Sequence, residues 1–303
     1  YYLVERPVMY GTFWRSLKAI TPSVALMGAT VAVIVVGTLA SATDAVQVGR
    51  FQALSPAKSL TSAHAFSTKP VRFLLLGDSI ALTMAIGLQV KSVSRFGVQL
   101  ENREELGCDI DDLPAIVGGV EGTPESHCRF WKTLWPKYVA QTRPDVVGLL
   151  IGRWDITDHV DDGKIVHVGQ PAWNRHLYDE IDQAVHIFSA HGAKVVLLTM
   201  PYIGSQQDSP NGTVYPENTP ERVNEFNQIL AEVTKHNAGV VTLVNLNKIL
   251  DPHGTFQSVI DGVTVRWSDG IHISKPGGEW LQAAFLPKVA ELGLTSAARA
   301  ANQ

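Results

Sequence analysis

The stretch Val71-Arg-Phe-Leu-Leu-Leu-Gly-Asp-Ser79 constrains the chain most. Phe73 to Leu76 form an uninterrupted apolar run, as a central parallel strand covered on both faces requires. The run stops at Gly77, which permits a tight turn, and at Asp78, whose carboxyl can hydrogen-bond within that turn. Ile80-Ala-Leu-Thr-Met-Ala-Ile-Gly-Leu88 follows as an apolar, helix-like segment. Ser79 therefore stands where a strand ends and a helix begins, with helical N–H groups at hand to stabilise negative charge. Two readings fit it. It is a nucleophile facing the crevice at the carboxyl edge of a sheet, or it is only a helix cap.

Ser268-Asp-Gly-Ile-His-Ile-Ser274 favours the first reading. A serine hydroxyl is a weak nucleophile until a base takes its proton, and histidine is the usual base. The histidine in turn needs a carboxylate to fix its tautomer and stabilise the imidazolium. Asp269 and His272 can meet within a single turn. A Gly-Asp-Ser turn early in a domain, combined with an Asp-x-x-His turn late in it, resembles the SGNH (GDSL) hydrolase family over roughly residues 70 to 293. The nucleophile elbow Gly-x-Ser-x-Gly is absent around Ser79, which argues against an ordinary α/β-hydrolase.

The resemblance implies Ser79 as nucleophile, His272 as base and Asp269 as its partner. It implies an SGNH-type three-layer α/β/α fold with a central parallel sheet of about five strands. It also implies an oxyanion hole from the backbone N–H groups of Ser79 and Gly107, although Gly107 equally fits a plain turn glycine. The family's Gly-x-Asn-Asp motif is here Gly152-Arg-Trp-Asp155, with Trp154 in place of the asparagine. An indole N–H is a donor of different reach. SGNH domains fused to acyltransferase-3 membrane parts show a similar Gly-Arg-Trp, and there Arg153 and Trp154 would bind substrate. Alternatively, the two side chains stack and pack the loop.

The spacing of apolar residues supports a strand–helix alternation. Strands are expected at 97–102, 145–151, 194–200 and 239–245. Helices are expected at 173–191, from Thr219 onward, and from about Pro276 to Leu292. The chain is 45% hydrophobic with a net charge of -4, which gives no basic excess to suggest a nucleic-acid partner. Asp155, Asp158, His159, Asp161 and Asp162 crowd together, but their spacing fits no dedicated cage. They read as a solvated loop, with no metal expected.

Residues 1–18 are aromatic and basic, like a membrane-interface segment. Val24 to Ala40 carries no charge and with its flanks reaches the about twenty residues that span a bilayer. A transmembrane helix over 21–42 is expected. A cleaved signal peptide ending near Ala40-Ser-Ala42 is the rival reading. Tyr-Tyr-Leu-Val-Glu-Arg-Pro at the start resembles the end of the membrane part of acyltransferase-3 proteins, and the chain, which begins with tyrosine, is expected to be a piece of a longer one. The expected plan is then 1–20 as the end of that membrane part, 21–42 as the helix, 43–69 as a linker and 70–303 as the SGNH domain. Arg15 and Lys18 before the span place the domain on the extracytoplasmic side of the cell membrane. In that compartment Cys108 and Cys128 are expected to form a disulfide; the other reading is two buried, unpaired cysteines.

The resemblance implies O-acyl, above all O-acetyl, transfer to a cell-envelope carbohydrate or glycolipid. No cofactor is expected in this stretch; acyl-CoA would feed the upstream membrane part. A carbohydrate or lipid esterase and a noncatalytic glycan-binding module are the alternatives.

Overall fold

In the computed structural model, which describes residues 69–122, 131–204 and 211–301, the apolar run is strand β1 (Val71–Gly77), buried throughout except at Arg72. It leads into helix α1 (Ser79–Leu88) and strand β2 (Val98–Glu104). There follow α2 (Trp131–Thr142), β3 (Val146–Leu150), α3 (Pro171–Ser189) and β4 (Lys194–Leu198). The set ends with α4 (Pro220–His236), β5 (Val241–Val244) and α5 (Lys275–Leu294). The five strands form one parallel sheet in the order β2-β1-β3-β4-β5. The expected three-layer α/β/α architecture is therefore present.

Alternation along the strands builds the layers. Leu74 and Leu76 of β1, with Val147, Leu149, Val195 and Leu197, face a core that includes Trp135, Leu177, Phe188 and Phe226 from α2, α3 and α4. Phe73 and Leu75, with Val146, Leu150, Val196 and Leu198, face the opposite core, against Met84 and Leu88 of α1 and Leu281 and Phe285 of α5. A β strand points successive side chains to opposite faces, so an unbroken apolar run serves both cores. Each fully buried leucine or phenylalanine contributes about 1.5–3 kcal/mol.

Close backbone approach needs glycine on the α1 side. A Cβ on Gly87 would sit 2.5 Å from the Gly278 Cα, so α1 and α5 meet backbone to backbone. That contact ties the helix that starts at Ser79 to the helix that starts just after His272.

The strand order has one reversal. From β1 the chain goes out to β2, then returns to the other side of β1 as β3. Ligands of open parallel sheets bind at such a switch point, outside the carboxyl ends of the strands. Here those ends are Gly77-Asp78-Ser79 and the segment that begins at Gly152. Beside them a small antiparallel sheet is formed by Ala115–Val117, Val120–Glu121, Asp158–Asp161 and Lys164–Val166.

Two expectations fall wholly or partly outside the described residues. Among the described residues no helix is long and apolar enough to cross a membrane; the helix expected over 21–42 lies outside the described residues, as does all of 1–68. Cys108 is buried and disulfide-bonded, while its expected partner Cys128 lies outside the described residues.

Candidate active site at the ends of β1 and β3

The turn after β1 is fixed by two features. Gly77 has φ +146, and a Cβ there would fall 1.9 Å from the Leu150 carbonyl oxygen, so only glycine lets β1 run so close to the end of β3. Asp78 then caps α1: its carboxylate accepts the Ile80 N–H at 2.8 Å. The cap is thus Asp78 and not Ser79. Ser79 is the first residue of the helix, half-buried, with its hydroxyl released for other work.

That hydroxyl meets His272. Ser79 Oγ lies 2.9 Å from His272 Nε2, and His272 Nδ1 lies 2.7 Å from Asp269 Oδ2. Asp269 Oδ1 accepts the N–H groups of Ile271 at 2.8 Å and His272 at 3.0 Å. Burial alone would raise the Asp269 pKa, but the bonds from the imidazole and these two amides hold it below the usual carboxylate range. An ionised carboxylate only accepts, so the proton sits on Nδ1 and Nε2 is left to accept from Ser79. The loop carrying this pair is closed by Trp267 N–H to the His272 carbonyl at 2.9 Å and by the bridge between Arg266 and Ile273. Ser274 ends it by capping α5 through the Gly277 N–H at 2.9 Å.

Beneath the loop lies a buried ion pair. Arg266 and Asp251 have fully buried side chains and meet at 3.3 Å, and Arg266 also donates to the Ile271 carbonyl at 3.2 Å. Burial lowers the Arg266 pKa to about 10, with Asp251 opposing the shift. Sequence reasoning missed this support. Its one signal was position: Arg266 and Trp267 directly precede the Ser268-Asp-Gly-Ile-His motif.

The other expected residues divide. Gly107 lies in the loop after β2, which is held to β1 by the Glu105 N–H to the Gly77 carbonyl at 2.9 Å. Its φ is +74, and a Cβ there would meet nothing within 4 Å, so open space adjoins it. Arg153 is only 5% exposed and donates to the Glu217 carbonyl at 2.9 Å. Burial lowers its pKa, opposed by the charges of Glu217 and Asp78. Trp154 is half-buried, and its indole N–H is buried without a partner among the described residues.

The acidic stretch after β3 is not the solvated loop its composition suggested. Asp155 and His159 are both 0% exposed. The short strand Asp158–Asp161 alternates, turning His159 inward and Asp161 outward. His159 Nε2 faces Asp109 Oδ2 at 3.3 Å and Asp111 Oδ2 at 3.6 Å, and these three residues form the one group among the described residues arranged as a metal ion would need.

Asp78 supplies a pH-dependent expectation. Burial, countered by the amides of Ile80, Ala81 and Arg153 and by His272, raises its pKa from 3.8 to about 6. The folded state therefore holds a proton that the unfolded state has already lost between about pH 4 and about pH 6, so stability falls as pH rises through that window. Asp78→Asn keeps the capping oxygen and removes the titration. Relative to wild type it should gain on the order of 2 kcal/mol on going from pH 4 to pH 7. Urea titrations of both proteins across that range check this; parallel profiles would contradict it.

The Ser79–His272–Asp269 geometry is a serine-hydrolase or acyltransferase type of arrangement, consistent with ester or acyl chemistry. The sequence model of the family described as "Protein of unknown function (DUF459)" matches residues 126–288, more than half of the chain, which takes in Asp269 and His272 but not Ser79. No curated protein matches the chain. Solved structures that resemble it include an acetyl xylan esterase, at 16% identity and TM-score 0.45, over 70% of this chain and 96% of that one. Another is an alpha/beta hydrolase from the metagenome of Lake Arreo, Spain, at 17% identity and TM-score 0.45, over 75% and 98%. A third is the periplasmic domain of the Salmonella ser. Paratyphi A lipopolysaccharide acetyltransferase, at 13% and TM-score 0.45, over 74% and 85%. At such distances the functional reading stands on the geometry of the site alone.

Proposed function

The chain belongs to the family described as "Protein of unknown function (DUF459)", and we propose that it is a serine-dependent esterase that cleaves an O-acyl ester of a carbohydrate or lipid through an acyl-serine at Ser79. The observation that carries this reading is the pair of bonds made by one imidazole, 2.9 Å to Ser79 Oγ and 2.7 Å to Asp269 Oδ2. Ser79 Oγ attacks the ester carbonyl carbon as His272 Nε2 takes its proton, and Asp269 stabilises the imidazolium. The oxyanion forms beside the N-terminus of α1, where the Ser79 N–H is available, and the Gly107 N–H is the second donor. The C–O bond of the leaving alcohol breaks as His272 returns the proton to it. Water then attacks the acyl-serine, giving its proton to His272, and the carboxylic acid leaves as Ser79 regains its hydrogen. Direct access for that water is supported by the exposure of the His272 and Asp269 side chains, 28% and 40%.

Transfer of the acyl group to a sugar hydroxyl instead of water is the second reading. It is favoured by Trp267, 55% exposed and bonded through its backbone N–H to the His272 carbonyl. An exposed indole on the catalytic loop offers a stacking face for a sugar ring. Water and sugar would compete for the same acyl-enzyme. Incubation with an activated acetyl ester, acid quench and mass spectrometry should find acetyl on Ser79. Adding a carbohydrate acceptor then separates the readings: an acetylated sugar means transfer, and acetate alone means hydrolysis. Turnover without any acylation of Ser79 would contradict both.

A further inference from the structure

We propose that Asp109, Asp111 and His159 form a binding site for a single divalent transition-metal cation, Zn²⁺ by its chemistry, that fixes the loop after β2. The proposal is independent of the reaction at Ser79. The three ligand atoms lie within 4.8 Å of one another, and all three side chains are buried.

A hydrogen-bonded histidine does not account for the geometry. His159 Nε2 carries at most one proton, yet two carboxylate oxygens converge on it, at 3.3 and 3.6 Å. Both separations exceed a good N–H···O bond. They do match the edge of a tetrahedron around one ion: with bonds of about 2.1 Å to nitrogen and oxygen, neighbouring ligands stand about 3.4 Å apart.

The remaining bonds look like those that aim ligands. Asp111 Oδ1 accepts the Leu113 N–H at 2.8 Å, and its other oxygen, Oδ2, faces His159 with no hydrogen-bond partner. The Asp111 side chain is 2% exposed, so this is an unpartnered oxygen aimed into a dry site. Asp155 repeats the pattern: Oδ1 takes the Ile110 N–H at 2.9 Å, while Oδ2 is buried and unpartnered, and its charge interacts with those of Asp109 and Asp111. Backbone amides that hold one carboxylate oxygen and free the other orient a metal ligand in the same way. Among the described residues no lysine or arginine makes a salt bridge with Asp109, Asp111 or Asp155. Burial of several carboxylates without a countercharge is costly, and a dication removes that cost. One imidazole with carboxylates suits Zn²⁺; Ca²⁺ takes oxygen ligands.

The site would join the loop that carries Gly107 to the strand Asp158–Asp161 of the small sheet, which pairs with Ala115–Val117. Asp109 lies two residues beyond Gly107, so the cation would hold that loop against the strand Asp158–Asp161.

The test uses the untagged 303-residue chain, dialysed against EDTA and titrated with ZnCl₂ by calorimetry, with metal content read by elemental mass spectrometry. One Zn²⁺ per chain is expected, together with a rise in Tm of about 5–10 °C at a hundredfold excess over Kd. Asp111→Asn should weaken Zn²⁺ binding more than about 100-fold and lose the Tm shift. Its metal-free Tm should not fall below that of wild type, because one repelling charge is gone; this separates lost binding from lost folding. His159→Gln is the second variant and should lose the shift as well. Ser79→Ala should bind Zn²⁺ as wild type does. Binding weaker than about 100 μM, tighter binding of CaCl₂ than ZnCl₂, or unchanged Zn²⁺ binding by a folded Asp111→Asn overturns the proposal.

Discussion

Replacing Ser79 by alanine is expected to lower kcat for an activated acyl ester by about 10⁴-fold or more, and replacing His272 by alanine should cost as much. The double variant should be no worse than either alone, because the hydroxyl and the imidazole act as one unit across 2.9 Å. Asp269→Asn belongs with them for a different reason. The wild-type carboxylate only accepts, which keeps the proton on Nδ1 across the 2.7 Å contact. An asparagine amide can donate to Nδ1 instead, which moves the ring proton to Nε2 and leaves nothing to accept from Ser79. The expected loss is about 10⁴-fold with folding intact. Ser79→Ala leaves the Asp78 cap on Ile80 untouched, so its Tm should stay close to wild type. Steady-state kinetics and a thermal melt on each variant decide the matter. Turnover within tenfold of wild type in Ser79→Ala would remove the serine mechanism.

The parts of this site that were legible in the sequence share a property: each is announced by its immediate neighbours. The apolar run of β1 ends at Gly-Asp-Ser, and Asp269 and His272 are three residues apart, so local spacing sufficed. The parallel sheet was legible for the same reason, because buried strands and amphipathic helices alternate along the chain. Helix α2 was missed although Trp131, Trp135 and Val139 recur at four-residue spacing and are all buried; the internal Pro136 obscured it. The buried acids were misread because burial is a property of the partner. Asp155 and His159 belong to a segment with five acidic or histidine residues in eight, which resembles a hydrated loop. What makes it dry is the loop around Asp109 and Asp111, about forty-five residues earlier, together with the Trp173 ring, tilted against His159 with centroids 5.1 Å apart. No window of sequence contains that information.

The buried pair beneath the catalytic loop should show the same long-range dependence in its energetics. Arg266→Leu is expected to destabilise the fold by about 3–5 kcal/mol. The change strands the Asp251 carboxylate, which is fully buried and already has its pKa raised by burial against the pull of Arg266. Asp251 cannot turn to water, because it also accepts the N–H groups of Tyr202 at 2.8 Å and Gln257 at 3.0 Å. Adding Asp251→Asn to Arg266→Leu keeps an acceptor for one of those two amides and removes the stranded charge, so the double variant should recover about 1–2 kcal/mol. That rescue distinguishes a charge effect from loss of the arginine's packing over Phe256, 5.6 Å from its guanidinium. Arg266 also holds the Ile271 carbonyl, between Asp269 and His272. The double variant, though more stable than the single one, should therefore still turn over esters more slowly than wild type, with the loss in kcat more than in KM. Urea denaturation of the three proteins measures the first effect and steady-state kinetics the second. A cost below about 1 kcal/mol for Arg266→Leu, or no rescue by Asp251→Asn, would show that the pair does not carry the loop.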